Sequence, residues 1–329
     1  MDLKYTQDNT FATPRFSGVS TFMRLHHVNT LNDIDFMITG IPFDTAATFR
    51  TGTRFGPQAV RNFSSLVRSY SYFHKIGLFE YLSGVDFGDV PVVPGSIHDT
   101  YANIEKTLTP VFEKGIIPIS VGGDHSITLG ELRAAAKKYG PLALVQFDAH
   151  CDTTDEYFGQ KYTHGTPFRR AVEEGLIDTS RSIQVGIRGS VNDPVDVDGA
   201  KNLGYEVITG DELLEIGWDA AIARIKSRVG NYPAFLTFDV DFVDPSCAPG
   251  TGTPEVGGLL SREAIYILRR LTGIRFIGFD VVEILPSYDH SDITSALGAN
   301  VVFEMAALIA VMKKEKMESV VKAGEHRHG

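Results

Sequence analysis

Short apolar runs alternate with amphipathic segments along most of this chain of 329 residues. The strand-like runs are rich in Val, Ile and Phe and stay apolar almost throughout, which is typical of strands buried on both faces of a sheet. They are FMITGIPFD, IIPISVGGD, ALVQFDAH, SIQVGIR, YEVIT, AFLTFDVDF and RFIGFDVVE. Because helical patterns separate these runs, the chain is predicted to form a parallel α/β sheet.

The predicted helices lie between these runs. Tyr101, Ile104, Leu108 and Val111 recur at helical spacing before Gly115, which suits the residue after a helix. Further helices are predicted at GPQAVRNFSSLVR, LGELRAAAKKYG, SREAIYILRRLTG and NVVFEMAALIAVMKK. No linker or change of composition divides the chain, so we expect an N-terminal arm over 1–33, one domain over 34–315 and a C-terminal tail over 316–329.

Acidic residues and histidines stand where four of the predicted strands end. Asp148, His150 and Asp152 follow an apolar run at every second position, and side chains at that spacing point the same way on a strand. Asp239 and Asp241 repeat the pattern. Other strand ends carry Asp124 with His125, and Asp280 with Glu283. Ligands of parallel α/β sheets bind beyond the carboxyl ends of the strands, so we expect a functional site there.

Carboxylates crowded into a pocket of low dielectric constant repel one another, and a bound cation removes that conflict. Aspartate and histidine ligands without a thiolate cluster suit divalent metal ions. The set is too large for one ion, whereas two ions that share bridging carboxylates would use all of it.

Composition and charge limit which kinds of partner and which cellular location are expected. A net charge of −10 argues against nucleic acid or an anionic membrane as the main partner. The two cysteines, Cys151 and Cys247, form no disulfide framework, so a reducing, cytoplasmic location is expected. The N-terminus lacks the apolar core of a signal peptide, and the run MAALIAVM is too short to span a bilayer.

The blocks GGDHS, DAHCDT, HGTPF and FDVDFVDPSCAPGTGTPEVGG resemble the signature blocks of the ureohydrolases, the arginase–agmatinase family. The family hydrolyses guanidino groups to urea and an amine. The resemblance implies a three-layer α/β/α sandwich around a mostly parallel sheet of about eight strands. It also implies a homo-oligomer, either a trimer or a hexamer.

Carried over position by position, the resemblance implies a ligand set for two ions. The first ion would be held by His125, Asp148, Asp152 and Asp239. The second would be held by Asp148, His150, Asp239 and Asp241. Asp148 and Asp239 would bridge, which makes Asp148 part of the catalytic centre. Manganese is the usual metal of the family, and nickel is the alternative because its intrinsic affinity is higher.

The resemblance also assigns the reaction. A hydroxide held between the ions would attack the guanidinium carbon. His164 in HGTPF would carry a proton to the leaving amine, and Glu283 would orient the guanidinium by a charged hydrogen bond. Taken outside this pattern, His164 reads as a loop histidine bonded to backbone. Asp124 is expected to support the loop, and Cys151 to be a packed thiol on the opposite strand face.

The sequence defines the substrate less closely than it defines the reaction. Arginases hold the amino-acid end of arginine with a Ser/Asn-rich stretch, where this chain has TTDEYFGQKYTHGTPF, so arginine is disfavoured. Asp155 and Glu156 favour the cationic tail of agmatine, which places agmatine first. Arg169 and Arg170 favour a carboxylate tail, as in 4-guanidinobutyrate or 3-guanidinopropionate, and small alkylguanidines come third. Both pairs of charges could equally be solvated surface groups.

Two other classes stay open. The chain could be a non-catalytic subunit of a hetero-oligomeric ureohydrolase, against which the complete ligand set speaks. It could also be a zinc amide hydrolase on a related sheet, which two bridging aspartates disfavour.

Overall fold

The computed structural model describes residues 3–9 and 11–325. The strands are β1 (Phe36–Ile41), β2 (Tyr70–Ser71), β3 (Ile76–Gly77), β4 (Gly84–Asp89), β5 (Ile117–Gly122), β6 (Ala143–Phe147), β7 (Ile183–Ile187), β8 (Glu206–Thr209), β9 (Ala234–Asp239) and β10 (Phe276–Val282). The helices are α1 (Gly56–Ser64), α2 (Ile97–Lys114), α3 (Ile127–Tyr139), α4 (Pro167–Glu173), α5 (Val195–Asn202), α6 (Gly210–Ile216), α7 (Trp218–Val229), α8 (Ser261–Arg269) and α9 (Ile293–Glu325).

Eight of the strands form one sheet, in the order β4-β1-β5-β10-β9-β6-β7-β8. Every neighbouring pair in this sheet is parallel. β2 and β3 form a separate antiparallel hairpin. The sheet is parallel because each connection carries the chain back across a face of the sheet before the next strand begins. The predicted parallel α/β sheet is confirmed.

Helices cover both faces of the sheet, which confirms the three-layer sandwich. One apolar core joins the sheet to α1, α6, α7, α8 and α9, and the other joins it to α2, α3, α4 and α5. Successive strand residues alternate between the two cores. Leu144 packs in the second core and Val145 in the first. This alternation explains why the strand sequences are apolar almost without interruption.

Some elements escaped prediction. β4, at one edge of the sheet, has the sequence GVDFGD, and glycine and aspartate are poor strand formers. The register with β1 nevertheless pairs Phe36 with Gly84 and Ile38 with Asp86. Four helices, α4 to α7, were also missed. Two of them have only seven residues, whereas α7 carries an amphipathic pattern of Ala221, Ile225 and Val229 that could have been recognised.

The last helix is longer than its prediction, since α9 continues to Glu325 across the expected start of the tail. His326 and His328 lie outside the described residues. Among the described residues, the segment His290–Val320 is long and apolar enough to cross a membrane, but 78% of its most apolar window is buried inside the protein. The apolar composition of α9 is therefore that of a helix packed in the core.

Candidate metal centre

The predicted site residues follow four strands that are neighbours in the sheet, β5, β10, β9 and β6. His125 comes shortly after β5, Asp148 directly after β6, Asp239 at the end of β9 and Glu283 directly after β10. Because the strands are parallel, their carboxyl ends meet at one edge of the sheet. The structure thus brings together residues that are far apart in the sequence.

A first group gathers around His125. Its Nδ1 atom lies 3.1 Å from Asp148 Oδ2, 2.9 Å from Asp152 Oδ2 and 3.3 Å from Asp239 Oδ2. His125 and Asp148 are fully buried, and Asp239 is nearly so. All four residues expected to hold the first ion therefore converge on one point. His125, Asp148 and Asp239 each offer one ligand atom within 4.8 Å of the others, and Asp152 adds a carboxylate oxygen beside His125.

A second group gathers around His150. Its Nδ1 atom lies 3.0 Å from Asp241 Oδ2 and 3.6 Å from Asp148 Oδ1. Asp148 is therefore shared by both groups, one oxygen to each, as a bridging carboxylate requires. Asp239 falls in the first group only, so its predicted bridging role stays a prediction. The His150 side chain is about one third exposed, which makes the second group the more accessible of the two.

Strand alternation does not explain how these side chains meet, so that part of the sequence reasoning was wrong. β6 ends at Phe147, and residues 148–152 form an irregular segment in which Asp152 adopts a left-handed backbone at φ 52°. β9 ends at Asp239, and a 3-10 turn over Val240–Phe242 carries Asp241 back beside it. In that turn the Asp241 N–H donates to Asp239 Oδ1 at 2.9 Å.

The two groups contain buried polar atoms without hydrogen-bond partners. His125 Nε2 lies 2.8 Å from Thr237 Oγ1, while Nδ1, which faces the carboxylates, makes no hydrogen bond. Asp241 Oδ2 also lacks a partner. Such atoms are costly to bury unless something binds them. A lone pair on an imidazole nitrogen, aimed among carboxylate oxygens, fits a divalent cation.

The electrostatics support the same interpretation. Burial and the neighbouring Asp148 raise the pKa of the Asp152 carboxyl to about 6. Burial and the charges of Asp241 and Asp148 raise the pKa of Asp239 well above its usual range. Burial also opposes ionisation of Asp148, but the adjacent imidazoles of His125 and His150 outweigh it and lower that pKa. Bound cations would let all four carboxyls ionise together.

Glu283 links the first group to His164. Its Oε1 atom accepts from the His125 backbone N–H at 2.9 Å and lies 2.9 Å from His164 Nδ1. The Thr48 N–H and hydroxyl lie 3.0 and 2.7 Å from His164 Nε2, so in the neutral ring Nε2 acts as acceptor and Nδ1 carries the proton. Burial lowers the pKa of His164, but the Glu283 carboxylate outweighs it and raises that pKa to about 9. Glu283 Oε2 is buried and unpartnered.

Backbone contacts fix Glu283 in this place. Its N–H donates to Gly123 O at 2.9 Å, and its own backbone is left-handed at φ 65°. Gly123 cannot carry a side chain, because a Cβ there would lie 1.9 Å from Phe43 O. Asp124 supports the loop after β1 by accepting from the Ala46 N–H at 3.0 Å. Since that loop carries Thr48, it also positions His164.

A cleft of about 210 Å³ opens beside the two groups. His150, Asp152, Asp239 and His164 contribute to its lining. Further from the ligands, its wall includes Thr48, Thr154, Tyr157, Arg188, Ser190, Asn192, Asp196 and Thr253. Sequence reasoning singled out none of these. The cleft is therefore formed largely by loops that follow β1, β6 and β7.

Two residues near the cleft differ from expectation. Asp155 does not line it, and its carboxylate instead lies 2.6 Å from the Arg170 guanidinium. These two charges, which had suggested opposite substrate tails, pair with each other. Cys151 lies on the irregular segment after β6 and not on a strand face, so that reason was wrong. It is nonetheless a packed thiol, 7% exposed, whose pKa is raised by burial.

Comparisons with known proteins agree with this geometry. A family model described as the arginase family matches residues 34–307. Guanidinopropionase of Pseudomonas aeruginosa is 45% identical over 298 residues, which cover 90% of this chain and 93% of that protein. An agmatinase of Neisseria meningitidis is 44% identical over 281 residues, covering 85% of this chain and 88% of that protein.

A solved structure gives the same result for the fold. Proclavaminate amidinohydrolase from Streptomyces clavuligerus superposes with a TM-score of 0.87 at 40% identity. The match covers 91% of this chain and 99% of that one. The similarity therefore extends over the sheet, both helix layers and the loops that carry the two ligand groups.

Proposed function

This chain belongs to the arginase family and is a ureohydrolase, and we propose that it cleaves a guanidino compound with a short cationic tail to urea and an amine at a centre of two divalent metal ions. The observation that carries the proposal is the pair of ligand groups that share Asp148. The unpartnered Nδ1 lone pair of His125 supports the presence of a cation in the first group.

We propose that His125, Asp148, Asp152 and Asp239 hold one ion, and that Asp148, His150, Asp239 and Asp241 hold the other. When bound, two divalent ions neutralise the clustered carboxylates and supply a nucleophilic water at neutral pH. The oxygen-rich ligand set supports manganese, and nickel is the alternative. The rest of the proposed chemistry belongs to Glu283, which is buried beside the first ligand group, and to His164, which lines the cleft.

Glu283 is the proposed anchor for the substrate guanidinium. Two N–H donors hold its Oε1 atom, so Oε2 is left as a fixed, buried acceptor. A guanidinium presents paired, positively charged N–H donors, which the unpartnered Oε2 atom of a buried carboxylate can accept. Binding at Oε2 would turn the reacting carbon toward the ligand groups.

His164 is the proposed proton carrier. Its imidazole lines the cleft and is oriented by Glu283 at Nδ1 and by Thr48 at Nε2. The leaving amine must gain a proton as the C–N bond breaks. A histidine held between a carboxylate and a hydroxyl can deliver that proton, because cations bound nearby would lower its raised pKa toward neutrality.

The tail preference follows from the outer wall. The Arg188 guanidinium donates to backbone carbonyls of residues 186, 241, 242, 255 and 256, so its N–H groups are used within the protein. Asp196 Oδ2 accepts from the Asn192 N–H at 2.9 Å, and Oδ1 accepts no hydrogen bond among the described residues. A free carboxylate oxygen in the wall favours an amine at the end of the tail, as in agmatine.

A second candidate is a guanidino acid, because the relative at 45% identity is named guanidinopropionase. Urea release from agmatine, 4-guanidinobutyrate, 3-guanidinopropionate and methylguanidine by the purified chain, with manganese or nickel added, separates the candidates. The proposal expects the highest kcat/KM with agmatine and a selective loss of it in Asp196→Asn. A preference for either guanidino acid would contradict the tail assignment, and no urea from any guanidine would favour a subunit that needs a partner.

A further inference from the structure

Six adjacent strands of the sheet each carry one polar residue at the same level of the sheet. The residues are partners in the strand register, and their side chains are fully buried. In sheet order they are Thr39, Ser120, Asp280, Thr237, Gln146 and Gln184. We call this set the polar row. It lies one step, two residues along the strands, before the ligands Asp148 and Asp239.

The polar row contacts the metal-ligand groups directly. Gln146 donates to Asp148 Oδ2 at 2.8 Å, and Gln184 donates to Gln146 Oε1 at 2.6 Å. Thr237 Oγ1 lies 2.8 Å from His125 Nε2. Because buried polar groups fix the orientation of whatever they bond, these contacts hold the ligand side chains in place.

The centre of the polar row contains a second carboxyl group. Glu131 is fully buried on α3 and accepts a hydrogen bond from Ser120, while Thr128 donates to Asp280 Oδ2 at 2.7 Å. Glu131 Oε2 and Asp280 Oδ1 have no other partner. Ser120, which binds Glu131, is the register partner of Asp280, so the two carboxyl groups are neighbours across adjacent strands. Two buried, unpartnered carboxyl groups side by side require a proton on one of them.

The surroundings decide which carboxyl group carries that proton. In the described part of the chain, neither group forms an ion pair with a lysine or arginine. Asp280 accepts a hydrogen bond from the Thr128 hydroxyl, and its register partner Thr237 places a second hydroxyl beside it on the adjacent strand, which stabilises its ionised form. Glu131 accepts from Ser120 only. The proton therefore belongs to Glu131.

We propose that Glu131 is a neutral carboxylic acid that donates a hydrogen bond to Asp280. Asp280, through Thr237, then fixes the ring of His125 as a metal ligand. In this arrangement Thr237 donates to Asp280 and must accept from His125 Nε2–H. His125 then presents a lone pair at Nδ1 to the first ligand group. Glu131 is a positioning residue, since it acts only through Asp280 and Thr237.

This inference rests on the proposed function only in its last step, because the shared proton does not depend on a metal. Infrared spectroscopy of the full metal-free chain at neutral pH tests the proton. Because the raised pKa of Asp239 gives the metal-free chain an acid band of its own, we expect the difference between the wild-type and Glu131→Gln spectra to contain a carboxylic acid carbonyl band. Glu304→Gln is the matched control, since Glu304 is a buried carboxylate paired with Arg269, and it should leave that band unchanged. Absence of the band in the wild-type protein overturns the proposal even if Glu131→Gln does not fold.

Metal titration of the same proteins tests the link to His125. Glu131→Gln keeps a donor toward Asp280 and should bind both ions with nearly wild-type affinity. Thr237→Val breaks the link and should weaken one of the two ions by about 10–100-fold while the acid band persists. Full affinity for both ions in Thr237→Val would overturn the positioning role. If the wild-type chain bound no divalent ion, the proposed function would fail while the infrared result still decided the proton.

Discussion

Replacement of Glu283 by Gln is expected to weaken substrate binding in a way that the local hydrogen bonds define. Oε1 of Glu283 accepts from the His125 N–H and from His164 Nδ1, each at 2.9 Å. In Glu283→Gln the amide oxygen must keep this position to satisfy the two donors. The amide nitrogen then takes the position of Oε2, and it presents N–H groups to the N–H groups of a guanidinium.

The size of the effect follows from the bond that is lost. A hydrogen bond between charged groups contributes about 1.5–3 kcal/mol, and leaving two donors opposed removes it entirely. We expect a loss of about 2–3 kcal/mol in the binding of the transition state, or about 30–150-fold in kcat/KM. The left-handed backbone at φ 65° is equally strained in both proteins, because Gln and Glu share the same Cβ atom.

The measurement is kcat/KM for urea release, together with metal content and the melting temperature. Metal content should stay at its wild-type value, since Glu283 belongs to neither ligand group. Glu304→Gln removes a buried carboxylate that pairs with Arg269 elsewhere and serves as the control. A change of less than about 3-fold in kcat/KM, with full metal content, would refute the assignment of Glu283 as guanidinium anchor.

Other outcomes follow from the same geometry. His164→Gln should keep both ions while slowing turnover about 100-fold or more, and unchanged rates across a pH series would remove His164 as the proton carrier. Asp148→Asn should reduce occupancy of both ions, whereas His150→Ala should reduce one, because Asp148 belongs to both groups and His150 to one; elemental analysis checks this. Asp155→Asn should leave kcat/KM within about 2-fold, since its carboxylate is paired with Arg170 outside the cleft, and a large selective loss with agmatine would contradict that. Chelation should lower the melting temperature, measured by calorimetry, by about 4 °C for each site when the free metal concentration had been about 100 times Kd.

The fold was predictable where burial on both faces dictated the sequence. β5, β6, β9 and β10 are apolar runs that end in polar residues, and the sequence placed them and their ligands on one edge. β4 was missed because it contains glycine and aspartate, which are poor strand formers. It forms a strand because its backbone pairs with β1. The short helices α4 and α6 depend on packing against the sheet, which no local pattern reveals.

The candidate site was predictable in its residue types but not in its mechanism of assembly. Asp148, His150 and Asp152 were found by counting every second residue, although the chain leaves the strand at Phe147 and turns through a left-handed residue. The polar row was visible as one Gln, Thr, Ser or Asp inside each of six buried strands, and only the register shows that these residues are neighbours. The pairing of strands that are distant in the sequence cannot be inferred from the pattern of any one segment.

The central claim is that two divalent ions occupy the groups joined by Asp148. Metal content measured together with urea turnover in one preparation, with anomalous scattering to place the ions, tests it most directly. The account predicts two ions per chain, one beside His125 and one beside His150, and turnover that disappears when they are removed and returns when manganese or nickel is restored. An active preparation with neither position filled would contradict it.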